Sequence, residues 1–534
     1  MGSKISLCTN HFDGGVIRDM NAGGNVMICN TTFSLCTTRS RPSPNIDHTY
    51  TDQTFTSALD RIAFELDQVE EGDSVAVSGC SFTDVVYVLD KESYISCGGA
   101  VYLNGPFSSI LINDSSFERC FIDATDAVSG TVTGMVVYIR LTYEDGSVTI
   151  SECSFSDYVG PDNSDAGGCV SFTSTKPEES FVFSKNSLDP KEDLKNVFVT
   201  TSGLEVDVDT EDAVINNNTF QQCNYYAIHA SFGNTVLIDS LHIYESRPDS
   251  EYNHNSINIE GHALTVHSVN LCTPSGMTLD VTNNGSLDID NLNITNSQNS
   301  VRINGGNVTI HGLVVNRGKY AYLFTLAFQV IIRDVDSLLI NSSSFSHIEG
   351  QLEFHANDIV LDDVLIDNNT FKEAPVKIYS NTIKIYNSIV SNNYCTKKNS
   401  PGALYFPQET DFFISNTHFS NNSNSNDPFE VQTGSDIAFN SSIVDLTSSH
   451  FVKCSSTSKK HRIYNLNESK PHPKQVFLLP TNISKGGFDV TDIEYTVGYG
   501  GFVIMLAGGL SLVMLFFFIF VICICECSVK FMQS

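Results

Sequence analysis

The sequence predicts an all-β chain, a parallel β-helix solenoid followed by a single C-terminal transmembrane α-helix, and three observations predict it. Short β-branched runs recur along the second half of the chain: MTLDV (277–281), VRI (301–303), QVII (329–332), QLEF (351–354), PVKIY (375–379), ALYF (403–406) and FEV (429–431), with starts 22 to 28 residues apart. Each is followed about eight residues later by a second run (SLDI, NVTI, SLLI, DIVL, TIKI, FFI and DIAF), then by a third apolar position such as Phe345, Phe371, Phe419 or Phe451. Alternation over three to five residues marks a strand, and strands at a period in the low twenties mark a solenoid with three strands per rung. Finally, the 24 residues from Phe502 to Cys525 carry no charge, and at 1.5 Å per residue they span ~36 Å, enough for a tilted membrane helix.

Composition narrows the function. A chain of 534 residues exceeds one ordinary core and is read here as one repeat array. Sixty-one acidic against thirty basic residues give a net charge of −31, which repels a phosphate backbone, so nucleic acid is not an expected partner. Twelve of the fifteen cysteines lie between Cys8 and Cys454, mostly single and without the paired spacing of a zinc site, and no cofactor is implied. Several sit beside a repeat Phe: Cys29 and Cys36 flank Phe33, Cys80 precedes Phe82, Cys120 follows Phe117 and Cys223 follows Phe220. Equivalent positions on neighbouring rungs are ~4.8 Å apart, so these side chains either stack as thiols or form disulfides between rungs.

In chain order, residues 1–455 form the predicted ectodomain. It opens directly on rung-like sequence, without the charged and apolar regions of a secretory signal, an opening that a missing upstream segment would produce. MGSKIS also matches the myristoylation pattern at Gly2, which would instead put the N-terminus in the cytosol. Irregular insertions are expected at 39–74, where SALDRIAFELDQVEEG has helix-like spacing, and at 175–212, which is charged and contains proline. Residues 456–500 read as a cap or juxtamembrane stalk, 501–525 as the transmembrane helix and 526–534 as a short cytoplasmic tail. Cys523, Cys525 and Cys527 at its inner edge are lipidation candidates. The expected setting is the plasma membrane, crossed once, with the N-terminal domain extracellular.

Twelve N-x-S/T sequons are glycosylation candidates on that side of the span: Asn30, Asn113, Asn217, Asn284, Asn293, Asn307, Asn341, Asn368, Asn421, Asn440, Asn467 and Asn482. Their number modestly exceeds the roughly nine that composition predicts. Asparagine is also expected at the rung corners, where it tolerates left-handed backbone and bonds along a ladder of equivalent side chains.

Two segments carry a more specific pattern. CGGAVYLNGPFSSILINDSSFERC joins Ala100 to Phe117, and PGALYFPQETDFFISNTHFSNN joins Ala403 to Phe419 and Asn422. The pattern resembles the GGA(I/L/V) and FxxN repeats of polymorphic outer membrane proteins and of related β-helix surface proteins in anaerobic protists. The resemblance implies a right-handed, pectin-lyase-like β-helix displayed on a cell surface, with adhesion, binding of a glycan or protein ligand, or a coat as its role. It departs from that pattern where Glu118-Arg119-Cys120 replaces x-x-Asn and Cys169 replaces Ala in GGCV. The alternative is a surface polysaccharide lyase or glycoside hydrolase, since the fold hosts both. Asp362 and Asp363 are the one tempting carboxylate pair, but neighbours on a strand point to opposite faces, and glycoside hydrolysis needs two carboxylates facing one bond. The scattered His229, His254, His262 and His267 read as corner or surface residues, and the expected protein is not an enzyme.

Overall fold

The computed structural model describes most of 72–189, 203–244 and 255–425, with short strands between 3 and 67 and between 437 and 477. Among the described residues all regular structure is β, in parallel strands that pair rung to rung, an arrangement compatible with a β-helix solenoid. The chain divides into two compact units, Met1–His355 and Ala356–Ser534.

In the first unit, one rung shows the plan. Val101–Gly105, Ser109–Asn113 and Ser116–Glu118 pair in parallel with Val137–Leu141, Ser147–Ser151 and Ser154–Ser156 of the next. We call these successive columns the first, second and third ladders. Alternate side chains point inward: Ile110, Ile112, Val148 and Ile150 are buried, while Leu111 and Thr149 between them are partly exposed. On the third ladder Phe33, Phe82, Phe117 and Phe155 stack over four rungs, with ring centroids 4.7, 4.8 and 4.8 Å apart and planes within 5°. The rung spacing itself sets that distance, which suits offset aromatic stacking.

Between the second and third ladders the described rungs turn through one left-handed residue, among them Asn30, Asp114, Glu152, Lys185, Asn217, Ser240, Ser268 and Asn291. Gly79 holds this place with φ +61°, and a Cβ there would stand 2.7 Å from Asn30 Oδ1, so the corner needs glycine's freedom and its small size. The next residue points inward and is a small polar group in seven of the described rungs of this unit: Thr31, Cys80, Ser115, Cys153, Asn186, Asn218 and Ser343.

The reason lies in the backbone. The corner residue donates to a carbonyl of the following rung (Asn217 N to Asp239 O, 2.9 Å), whereas the first residue of the third-ladder strand donates to the preceding rung (Ser116 N to Cys80 O, 2.9 Å). The N–H between them is stranded in the interior. In several rungs the inward side chain of the following rung accepts it: Cys80 N to Ser115 Oγ at 3.1 Å, Cys153 N to Asn186 Oδ1 at 3.0 Å and Asn186 N to Asn218 Oδ1 at 2.9 Å.

The second unit repeats the scheme. Asp358–Asp362, Thr382–Tyr386 and Asp411–Ser415 form one ladder, and Leu365–Asp367, Ile389–Ser391 and His418–Ser420 another. A second left-handed corner, at Asn368, Asn392 and Asn421, leads into two-residue strands such as Thr370–Phe371 and Tyr394–Cys395. Behind that corner Asn369, Asn393 and Asn422 form a buried amide column, with Asn369 Nδ2 to Asn393 Oδ1 at 2.9 Å and Asn393 Nδ2 to Asn422 Oδ1 at 3.0 Å. Asn393 and Asn422 each stand three residues beyond an inward apolar residue, Val390 and Phe419. In the first unit Cys120 occupies the same place after Phe117, its thiol 3.4 Å from Phe82 O, so FERC is a variant of the same corner. Cys80, Cys153, Cys169 and Cys223 are buried free thiols, which favours the stacked-thiol reading for these four.

Several details depart from the sequence reading. Phe64–Asp67, within the helix-spaced stretch, is a first-ladder strand paired with Val101–Asn104. Glu178–Ser184, inside the expected excursion at 175–212, carries inward Phe181 and Phe183, and the charged residues on both sides hide its alternation. Phe371 is not the inward residue of the strand after the first corner, which is Ile366, but belongs to the short strand after the second corner. Ile437–Asn440, read as a second run, lies on the first ladder opposite Leu404, since the strand ending at Asn424 is farther along the chain from Ile437 than the strand ending at Cys395 is from Leu404; FEV (429–431) lies outside the described residues. Ile463–Asn465 and Gln475–Phe477 continue the ladders into the expected cap. Among the described residues no helix is long and apolar enough to cross a membrane, and the predicted span 501–525 lies outside them.

Asn393→Ala removes two donated and two accepted bonds at one buried site, and is expected to destabilise the second unit by about 2–4 kcal/mol. Phe117→Ala in the first unit is expected to cost about 3–5 kcal/mol. Denaturant titration of each variant checks both values, and a loss below about 1 kcal/mol for Asn393→Ala would show that the amide column is not needed.

Candidate functional site

Outward side chains of the first ladder fall in register from rung to rung. Glu205, His229, Asn258, Asp280 and Arg302 occupy one column over five successive rungs of the first unit. The strands hold them because their inward neighbours, Leu204, Val206, Ile228, Ile257, Ile259, Val301 and Ile303, are locked in the core. Within the column Asn258 Nδ2 lies 3.1 Å from His229 Nδ1, and Arg302 Nη1 lies 3.6 Å from Asp280 Oδ2.

Further along the same unit a tighter cluster forms. Leu352 and Phe354 point inward, so Glu353 between them faces outward, yet its side chain is only 6% exposed. Arg333 Nη2 donates to Glu353 Oε1 at 2.5 Å and His355 Nε2 stands 2.6 Å from the same oxygen, while Gln351 Nε2 donates to Oε2. Burial alone would push the Glu353 carboxyl up. The hydrogen bonds and positive charge of Arg333 and His355 outweigh it and hold the group below the usual carboxylate range. Glu353 is therefore an anion at neutral pH, paired with Arg333 and His355 and not able to act as a general acid.

A third arrangement lies at the end of the second ladder, just before the corner. Asp239, His267 and Asp290 are consecutive in register. His267 Nδ1 is 2.7 Å from Asp239 Oδ1 and Nε2 is 3.2 Å from Asp290 Oδ2. A neutral imidazole has a single N–H, so bonding both carboxylates requires the imidazolium. The hydrogen bond to Asp239, helped by both negative charges, accordingly raises the His267 pKa, and the bond from His267 lowers that of Asp239.

The structure separates the residues singled out from sequence. Asp362 ends a second-ladder strand and accepts from Asn387 Nδ2 at 2.8 Å, while Asp363 is itself the left-handed corner residue with φ 54°; the pair lies at a corner, not on the first-ladder face. His229 is exposed, His262 is exposed at a bulge between Gly261 and Ala263, and His254 lies outside the described residues. Among sequons, Asn30, Asn217, Asn307, Asn368 and Asn421 are exposed and Asn113, Asn293 and Asn341 half-buried. The side chains of Asn284 and Asn440, and all of Asn467, Asn482, Cys523, Cys525 and Cys527, lie outside the described residues. Among the described residues no group of three or more His, Cys, Asp or Glu is placed to hold a metal. The Glu353 cluster and the His267 bridge were missed by sequence reading, though counting from each corner would have aligned Asp239, His267 and Asp290. No known protein family, characterised protein or solved structure matches this chain.

The bridge fixes a pH dependence. With its pKa raised, His267 contributes stability that is full below the unfolded His value of about 6.5 and lost as pH rises through its folded pKa. With its pKa lowered, Asp239 contributes stability present above about 3.9 and lost as pH falls through its folded pKa. The protection factors of amides in the rungs carrying Asp239, His267 and Asp290, that is, exchange rates referred to each amide's intrinsic rate at the same pH, are thus expected to be highest in mildly acidic solution and to fall on the alkaline side. His267→Gln should flatten the alkaline limb, and an unchanged profile in that variant would remove the bridge as its cause.

Proposed function

We propose that this chain is a non-catalytic, membrane-anchored cell-surface protein whose right-handed β-helix presents a ligand-binding face to the exterior, anchored by the apolar segment 501–525. The observation that carries this reading is the first-ladder column Glu205, His229, Asn258, Asp280 and Arg302, in register over five rungs. Stacking repeats every outward position at ~4.8 Å, so the face offers a fixed series of donors and acceptors rather than one pocket. Such a series matches a ligand with its own repeat of polar groups, as in a glycan chain or an extended protein segment. The ligand gains little from any one contact and much from many in register. The acidic balance of the chain, 61 acidic against 30 basic residues, favours neutral or basic ligands over anionic ones.

Intact eukaryotic cells expressing the full chain test its placement, because external protease is expected to remove the β-domain; protection would put the domain in the cytosol and end the surface reading. The face is tested by applying the detergent-solubilised full chain to arrays of glycans and matrix proteins. Asp280→Ala combined with Arg302→Ala is expected to weaken retention at least ~10-fold, a loss of about 1.4 kcal/mol. Equal retention by the double variant would move binding off the first ladder.

A further inference from the structure

The corner geometry and the sequons share a grammar. Asn217 and Asn368 are left-handed corner residues, with φ 53° and 56°. Each is followed by an inward Asn, Asn218 or Asn369, and then by Thr219 or Thr370 opening the next strand. A sequence that satisfies the corner therefore spells N-x-T. Both corner side chains are exposed, and neither carboxamide bonds to any other described residue. Asn307 opens a second-ladder strand, is exposed, and toward the described residues uses only its Oδ1, which accepts from Ser337 Oγ at 2.8 Å. Two other sequons differ at the atom that matters: Asn293 Nδ2 donates to Asn270 Oδ1 at 3.3 Å, and Asn421 Nδ2 donates to Asn392 Oδ1 at 3.0 Å, each across rungs.

From these contacts we propose that, of these five sequons, Asn217, Asn307 and Asn368 carry N-linked glycans and Asn293 and Asn421 do not. The inference rests on the surface reading above, since it requires the domain to enter the secretory pathway. The donor is an oligosaccharide linked through pyrophosphate to a lipid. Asn Nδ2 bonds to the sugar C1, the C1–O bond to pyrophosphate breaks, the lipid pyrophosphate leaves and Nδ2 loses one proton. Transfer occurs on the entering chain, so the folded rungs act as a filter. A glycan at Asn217, Asn307 or Asn368 stands in solvent and disturbs no bond. A glycan at Asn293 or Asn421 crowds a nitrogen that ties two rungs together, and chains carrying it fold less well. Within the first unit neither Asn217 nor Asn307 lies on a first-ladder strand, so their glycans leave the column from Glu205 to Arg302 uncovered.

Site occupancy on the full chain decides it. The protein is purified from eukaryotic cells, its glycans are released by an amidase in heavy-oxygen water, and the mass increment at each Asn is read by peptide mass spectrometry beside a secreted glycoprotein control. The expected result is high occupancy at Asn217, Asn307 and Asn368 with little at Asn293 and Asn421, and loss of one glycan mass step in each of Thr219→Ala and Thr370→Ala. Occupied sequons in another pattern, with any of the three empty or Asn293 or Asn421 filled to the same degree, would overturn this assignment while leaving the surface reading intact. No occupied sequon beside a modified control would overturn both.

Discussion

The rest of the fold depends on how each rung disposes of one backbone N–H. At the corner between the second and third ladders the direction of hydrogen bonding reverses, forward to the next rung at the left-handed residue and back to the preceding rung two residues later. The amide between has no ladder carbonyl to meet, and a buried donor left unpaired costs about 1–3 kcal/mol. Serine, cysteine or asparagine pointing inward from the next rung is the answer the chain uses repeatedly. Ser115 and Ser388 accept a neighbour's N–H while donating to the carbonyl two residues behind them, at 2.9 and 2.6 Å. Asn186 and Asn218 do it with an amide whose nitrogen reaches a carbonyl of the preceding rung, at 3.0 and 2.8 Å. Each such side chain welds two rungs, which is why the corner rather than the strand carries the distinctive residues.

That distinction also governs what was legible in the sequence. The strands were visible because their inward positions must be apolar at a period of two, and Val330, Ile332, Ile383 and Ile385 are buried as that period requires. Asparagine at the corners was visible for the same kind of reason. Arg119, Lys185, Glu152 and His347 also take left-handed corners, and no propensity identifies them. They are tolerated where a neighbour compensates, as Lys185 bonds Glu152 at 2.6 Å and Arg119 bonds Asp84 and Glu118. Rung length was the weak link. Extra residues between ladders, as between Asn424 and Ile437, leave the core pattern untouched but shift every count made from the previous strand. The DIAF run was misplaced for this reason, whereas Phe371 was misplaced because a second corner at Asn368 adds a short strand whose inward Phe is more conspicuous than Ile366 before it.

The candidate site was less legible than the fold because its partners lie a whole rung apart. Asp239, His267 and Asp290 are separated by 28 and 23 residues in register, and nothing local in any one of them announces the other two. Glu353 was hidden differently. It stands at an outward position of an alternating strand, where a charged residue is unremarkable, and only the structure shows that this outward side is nearly closed to solvent. A charge taken from water is kept only when it is paired, and Arg333, His355 and Gln351 converge on it for that reason.

The chemistry of that cluster bears on what the first-ladder face can do. Acid catalysis at neutral pH requires a carboxyl group that keeps its proton, and apolar burial without a cationic partner is the usual means. Glu353 has the burial but also two nitrogen donors on one oxygen, and their pull exceeds the desolvation that would raise its pKa. Freeing it for proton transfer would mean displacing Arg333, which leaves the anion and its burial without compensation. Arg333, His355 and Gln351 already occupy both oxygens of a side chain nearly closed to solvent, so the positions of this face open to an outside group are the exposed members of the column, His229 and Arg302. Polar positions repeated at rung spacing are held in place before any partner arrives, which lowers the ordering cost of contacts made along the ladder.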